Sequence, residues 1–122
     1  MNIALWIVQG IVAAVFALSG TQKASRSRNA LVASGQTGVQ NLSVPFIRFI
    51  AWCELAGACG LVLPGLVHIA PWLTPLAATG FVVIMVGAAS IHSKLHEPKN
   101  VAVNMILLVL CALIVIGRSS VL

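Results

Sequence analysis

The chain has very little charge. Of its 122 residues only 7% are charged, and the two acidic ones are Glu54 and Glu97. A water-soluble domain carries about a quarter charged residues, so this composition excludes a chain whose whole surface faces water. Other chemistry is missing too. There is no glycine-rich phosphate loop, no nucleophile–base pair and no pair of carboxylates within an apolar stretch, so independent hydrolytic activity has no support. The three cysteines, Cys53, Cys59 and Cys111, include no C-x-x-C and all fall in hydrophobic segments. They read as packing residues rather than a dithiol or a metal site, although Cys59 and Cys111 share a similar depth that would allow a contact. The formal charge of +5 does not point to nucleic acid, because the cations form no dense block with interleaved aromatics. They gather at the ends of hydrophobic stretches, where a membrane protein places its topological charges.

What the chain does have is hydrophobic length. Hydrophobic residues make up 60% of it, and the mean hydropathy is +1.07. A bilayer core of about 30 Å needs about 20 helical residues, and four stretches qualify: residues 3–22, 46–63, 72–91 and 101–116. Ser43 with Pro45 marks a helix start, and Leu63-Pro64-Gly65 a helix end. Pro71 and Pro75 open the third stretch, with Trp72 as an interfacial anchor, while Asn100 caps the fourth and Gly117 ends it. The connections of about 23, 8 and 9 residues leave no room for a second domain. The expectation is one all-α domain over residues 1–122, an integral membrane four-helix bundle in a lipid bilayer. The start, Met1–Trp6, lacks a positive n-region and the apolar run to Leu18 exceeds a typical h-region, so the first stretch reads as a retained helix.

Sidedness follows from the cations. Lys23, Arg26, Arg28, Arg48, Lys94 and Lys99 fall on the side of the first and third connections, and only Arg118 falls on the other. That bias predicts cytoplasmic first and third connections, with the N and C termini on the non-cytoplasmic side. Within the first connection, Asn29-Ala30-Leu31-Val32 has the makings of a short interfacial turn that sets Lys23, Arg26 and Arg28 against anionic headgroups. A flexible polar loop is an equal alternative.

Glu54 stands alone in an apolar stretch, roughly 10 Å in from the cytoplasmic end at 1.5 Å per residue. A carboxylate at that depth costs several kcal/mol (about 2.5–3.5 on insertion scales) unless paired, neutralised or facing a polar cavity. It shares a helical face with Gly57, Ala58 and Leu61, a small-residue stripe suited to close helix approach, and so is expected to point into the bundle. The same cytoplasmic-half layer holds Ser19, Gln22 and Lys23 of the first stretch, Arg48 of the second, Ser90 and His92 of the third and Asn104 of the fourth. Lys23, Glu54, His92 and Asn104 are the candidate ligand-binding or proton-handling cluster, with Ser19, Gln22, Arg48 and Ser90 supporting. Lys23 or Arg48 is the expected partner of Glu54, and His92 a proton donor nearby. Taken singly, Lys23, Arg48 and His92 are also accounted for as interfacial anchors, and Ser19 and Asn104 as interhelical hydrogen bonds. His92 and His96 have an i, i+4 spacing that places two imidazoles together, yet only Glu97 offers a third ligand and Lys94 adds repulsion, so no metal is expected. Gln9, deeper in the first stretch, reads as a helix–helix hydrogen bond.

These segments resemble the DoxX-like family of small bacterial four-helix membrane proteins. The resemblance rests on Phe16-Ala17-Leu18-Ser19-Gly20-Thr21-Gln22-Lys23, on the run Arg48–Gly57 around Glu54, on Leu61–Gly65, on Ile69–Ala78, on His92 and on Ala102-Val103-Asn104, and it covers nearly the whole chain. It implies a multi-pass protein of the bacterial cytoplasmic membrane, with Lys23, Glu54, His92 and Asn104 at the family's recurring polar positions. It further implies a redox-linked or quinone- or lipophile-binding accessory subunit, more a non-catalytic subunit than an enzyme on its own. Such a subunit carries no intrinsic cofactor, takes its electrons from a protein partner and has a quinone as the candidate ligand. Two alternatives stand beside this reading: a membrane-protein assembly factor or chaperone, and a small proton-coupled multidrug exporter. Small-residue faces also permit a homo-oligomer.

Overall fold

Each apolar stretch becomes a helix of 22 to 24 residues, because a chain in lipid must satisfy every backbone N–H and C=O within its own segment. The computed structural model describes residues 3–120; Met1, Asn2, Val121 and Leu122 of the expected 1–122 domain lie outside them. In chain order the elements are α1 (Ile3–Ser25), α2 (Arg28–Ala33), a 3-10 turn (Thr37–Val39), α3 (Val44–Val67), α4 (Leu73–Lys94) and α5 (Pro98–Ser119). The four long helices are all long and apolar enough to cross a membrane. This is the expected all-α four-helix bundle.

Helix α1 packs on α3, α3 on α4, α4 on α5, and α5 returns to α1, with the pairs α1–α3 and α4–α5 the most tightly joined. Phe16 and Phe81 stack at the centre, with centroids 3.9 Å apart and planes 10° from parallel. Gly57 admits the Phe81 ring to the α3 backbone: a Cβ there would stand 2.5 Å from Phe81 Cζ. Glu54, Ala58 and Leu61 are buried beside it, so the small-residue stripe faces inward as its spacing predicts. Ile7, Val83, Ile106 and Ile116 are exposed on the outer faces, where lipid rather than water is their natural neighbour.

Several helix ends differ from the sequence reading. Ser43 caps α3 as expected, accepting from the Phe46 amide. Pro64, however, does not end α3, which continues through it to Val67 and stops at His68 in a left-handed conformation (φ 57°). Proline deprives the carbonyl four residues earlier of its donor, and that carbonyl, Gly60, instead accepts from Thr74 Oγ1 of α4 at 3.0 Å. The next carbonyl, Leu61, accepts from Gln9 Nε2 of α1 at 2.5 Å. The Thr74 hydroxyl of a neighbouring helix thus repairs the break, one of the ways an intramembrane proline is tolerated. Asn100 is not the cap of the last helix: α5 begins at Pro98 after Glu97, and the Asn100 amide donates back to Glu97 at 3.3 Å. Gly117 does not end α5 either; it lies inside the helix, where a Cβ would meet Leu5 at 2.8 Å.

The first connection is folded. Ser27 caps α2 by accepting from the Ala30 amide at 3.2 Å, and Gly35 reverses the chain with φ 109°. Leu31 is fully buried with Val39 and Ile47 in a small second core. The short turn expected at 29–32 therefore exists as a helix, and it presents Leu31 to the protein. Arg28 donates to the Leu42 carbonyl at 2.7 Å and pins the far end. The connection lies against the α4–α5 turn at one end of the bundle, while Gln9 and Arg118 meet near the opposite end, where α1 begins and α5 finishes.

Candidate functional site

Beneath the folded connection lies a cavity of about 520 Å³. All four long helices line it, and Gly35, Gln36, Gly38, Val39 and Leu42 roof it. Phe46, Phe49 and Val103 line it while remaining exposed on the outer faces, so the cavity reaches the lateral, apolar surface of the bundle. Ser19, Lys23, Glu54, His92 and Asn104 contribute its polar groups.

Ser19, Lys23 and Glu54 form one unit. Lys23 lies one turn beyond Ser19 on α1 and donates from Nζ to Ser19 Oγ at 2.7 Å and to Glu54 Oε1 and Oε2 at 3.0 and 3.2 Å. Ser19 Oγ donates to Glu54 Oε1 at 3.1 Å. The Glu54 side chain is 2% exposed and that of Lys23 12%. Gly20 permits this meeting, since a Cβ there would approach the Ala51 carbonyl and the Leu55 side chain at 3.0 and 2.9 Å. Of the two cations expected beside Glu54, Lys23 takes the role. Arg48 instead donates from one guanidinium nitrogen to the carbonyls of Lys23 and, at 2.8 Å, Arg26. It caps the end of α1, whose last carbonyls lack intrahelical donors.

Three other expected members do not touch Glu54. Gln22 accepts from Gln36 Nε2 at 2.8 Å and so fastens the connection to α1. Ser90 is exposed and donates back to the Val86 carbonyl of its own helix at 3.0 Å; it is not part of the cluster. His92 does line the cavity, but its ion-pair partner is Glu97, not Glu54, with Nδ1 2.7 Å from Oε1. Glu97 gathers donors from three directions: His92 of α4, Asn100 of α5, and Thr37 Oγ1 of the connection at 2.7 and 2.8 Å. The His92 and Thr37 hydrogen bonds, in that order, hold the Glu97 carboxyl below the usual carboxylate pKa. Sequence reasoning counted Glu97 only as a third metal ligand. The signal for its actual role was thin: a carboxylate five residues after an imidazole, at a helix start.

Asn104 is 8% exposed, and its Nδ2 has no hydrogen-bond partner among the described residues. A buried amide N–H without an acceptor costs about 1–3 kcal/mol, and Arg118 Nη2, which is not in the cavity lining, is a second buried nitrogen without a partner among the described residues. His96 does not reinforce His92: α4 ends at Lys94, and His96 lies beyond it, exposed and left-handed at φ 57°. The three cysteines are free thiols; Cys53 is exposed and lines the cavity, Cys59 is exposed and Cys111 buried.

At the opposite end Gln9, 1% exposed, joins three elements. Its amide donates to the Leu61 carbonyl, and its Oε1 accepts from Arg118 Nε at 2.5 Å, while Arg118 lies over the Trp6 ring at 5.3 Å. This is helix–helix hydrogen bonding, as its position in α1 suggests.

Compared with known families, residues 7–114 match the model of the DoxX-like family. No curated protein matches the chain, and no solved structure does.

Proposed function

The chain belongs to the DoxX-like family, and from that premise we propose that it is a redox-linked accessory subunit holding a quinone-like lipophile in the cavity beneath its folded connection. A cavity lined by all four long helices, mostly apolar and open to the lateral face of the bundle, carries this reading. Its walls around Phe16, Ile84 and Leu107 suit a quinone ring and its tail, and His92 and Asn104 in its lining are the polar groups nearest to hand. The lateral exposure of Phe46, Phe49 and Val103 gives such a molecule a way in from the bilayer. Electrons come from a protein partner in this proposal. The membrane is the bacterial cytoplasmic membrane, with the cation-rich end carrying the connection facing the cytoplasm and both termini outside.

A second reading, an assembly factor, is favoured by one observation: Lys23 and Ser19 already satisfy Glu54, which therefore needs no ligand. Native mass spectrometry of the protein, extracted gently from its own membrane, separates the two. A small lipophile bound to the wild type and lost from Asn104→Leu supports the binding subunit. A ligand-free wild type that retains a polypeptide companion sinks it and favours assembly.

A further inference from the structure

Glu97 Oε1 lies 2.7 Å from His92 Nδ1, and the carboxylate accepts hydrogen bonds from Thr37 Oγ1 at 2.7 and 2.8 Å and from Asn100 Nδ2 at 3.3 Å. Two donors already converging on the carboxylate favour its ionised form, which has no proton to give. The hydrogen on the His92–Glu97 contact therefore belongs to Nδ1. In a neutral imidazole one nitrogen donates and the other accepts, so Nε2 of His92 is left as an acceptor. It has no hydrogen-bond partner among the described residues. Gly38 packs against that edge of the ring, where a Cβ would come within 3.2 Å of Nε2 and 3.3 Å of Cε1. Both residues line the cavity. The cavity lining thus holds, on α4, an acceptor that no described residue satisfies.

We infer that Glu97 is a positioning residue that holds His92 with Nε2 as an acceptor, and that the cavity selects lipophiles carrying a hydroxyl group, whose proton goes to His92 Nε2. This rests on the lipophile-site reading above and narrows it. A carbonyl alone leaves Nε2 without a donor, and a phenolic or hydroquinone-type hydroxyl supplies one.

The test uses the full chain in lipid nanodiscs and two probes of nearly equal size, para-nonylphenol and its methyl ether. The wild type should bind the phenol about three- to tenfold more tightly, the range one net hydrogen bond gives. Glu97→Ala and His92→Phe should each abolish the difference in affinity between the phenol and the ether. His92→Phe keeps a ring against Gly38, so it tests the acceptor even where Glu97→Ala loosens the connection. A structural role for Glu97 would not set the tautomer, which ring ¹⁵N shifts of His92 report directly. At about pH 8.5, well above the ordinary imidazole pKa of about 6.5, the wild type should show Nδ1–H and Glu97→Ala should move towards Nε2–H. His68→Gln and His96→Gln assign the resonances. An Nε2–H tautomer in the wild type, or a phenol preference that survives His92→Phe, overturns the inference. Equal wild-type affinity for both probes overturns it while leaving the lipophile site intact. Binding of neither probe overturns the site reading and this one together.

Discussion

Thr74 donates its hydroxyl to the carbonyl of Gly60, the one acceptor in α3 that Pro64 leaves without its backbone donor. A proline in the second apolar stretch and a threonine at the start of the third therefore form one device. Removing the hydroxyl by Thr74→Val should destabilise the bundle by about 1 kcal/mol, the scale of an interhelical hydrogen bond in a membrane. In a Pro64→Ala background the alanine amide serves Gly60, and the same Thr74→Val change should cost markedly less. Unfolding of the four proteins in mixed micelles gives the coupling energy. Additive effects would mean that the Thr74 hydroxyl does not stand in for the lost amide.

The Lys23–Glu54 pair has two nearly buried ends, so removing one strands the other. Lys23→Met should cost about 3 kcal/mol or more, because it leaves an uncompensated carboxylate with only Ser19 to donate to it. The double variant Lys23→Met/Glu54→Gln should recover most of that loss, since an amide tolerates the site better than an unpaired charge. Thermal unfolding in detergent checks both. If the double variant is no more stable than Lys23→Met, the pair is not what holds these residues in place.

Gly57 makes room for Phe81, with the ring 2.5 Å from where a Cβ would stand. Phe81 is also stacked on Phe16 and 1% exposed, so it has no free direction in which to retreat. Gly57→Ala should therefore destabilise by about 1–3 kcal/mol, the cost of overpacking a filled core. Phe81→Leu in the same chain should return part of it by shortening the obstructing side chain. An undiminished stability in Gly57→Ala would mean that α3 and α4 can separate more easily than their packing indicates.

The four helices and the inward aim of Glu54 were legible from hydropathy and from its i+3, i+4 and i+7 neighbours, because those signals are local. Depth, by contrast, says nothing about rotation around a helix axis. Ser90 and His92 have nearly the same depth, but two residues turn a helix by about 200°, so His92 faces the cavity while Ser90 faces out. Arg48 lies six residues from Glu54, again on a different face, and its long stem carries it to the α1 carbonyls. Pro64 read as a stop because the donor that rescues it, Thr74, comes from another helix. The role of Glu97 is not legible in the sequence for the same reason: it depends on Thr37, sixty residues away in sequence, arriving at the same turn.

The Glu97 contact also sets how the roof of the cavity responds to acid. Its carboxyl titrates below the ordinary value of 4.5, first through the hydrogen bond from His92 and then through that from Thr37. A carboxyl with a lowered folded pKa contributes stability that is fully present above its unfolded pKa and lost as pH falls through the folded one. Protonating His92 does not release the contact, because an imidazolium still donates from Nδ1. Nor do Thr37 and Asn100, the groups reaching Glu97 from the connection and α5, change charge. Amide exchange over Gly35–Leu42, corrected for the intrinsic pH dependence, should therefore stay flat from neutrality to about pH 5 and rise only below about pH 4. Glu97→Ala should show the raised exchange at every pH with no acid step. A wild-type rise centred near pH 6.5, the ordinary range of an imidazole, would mean that His92 rather than Glu97 controls the roof.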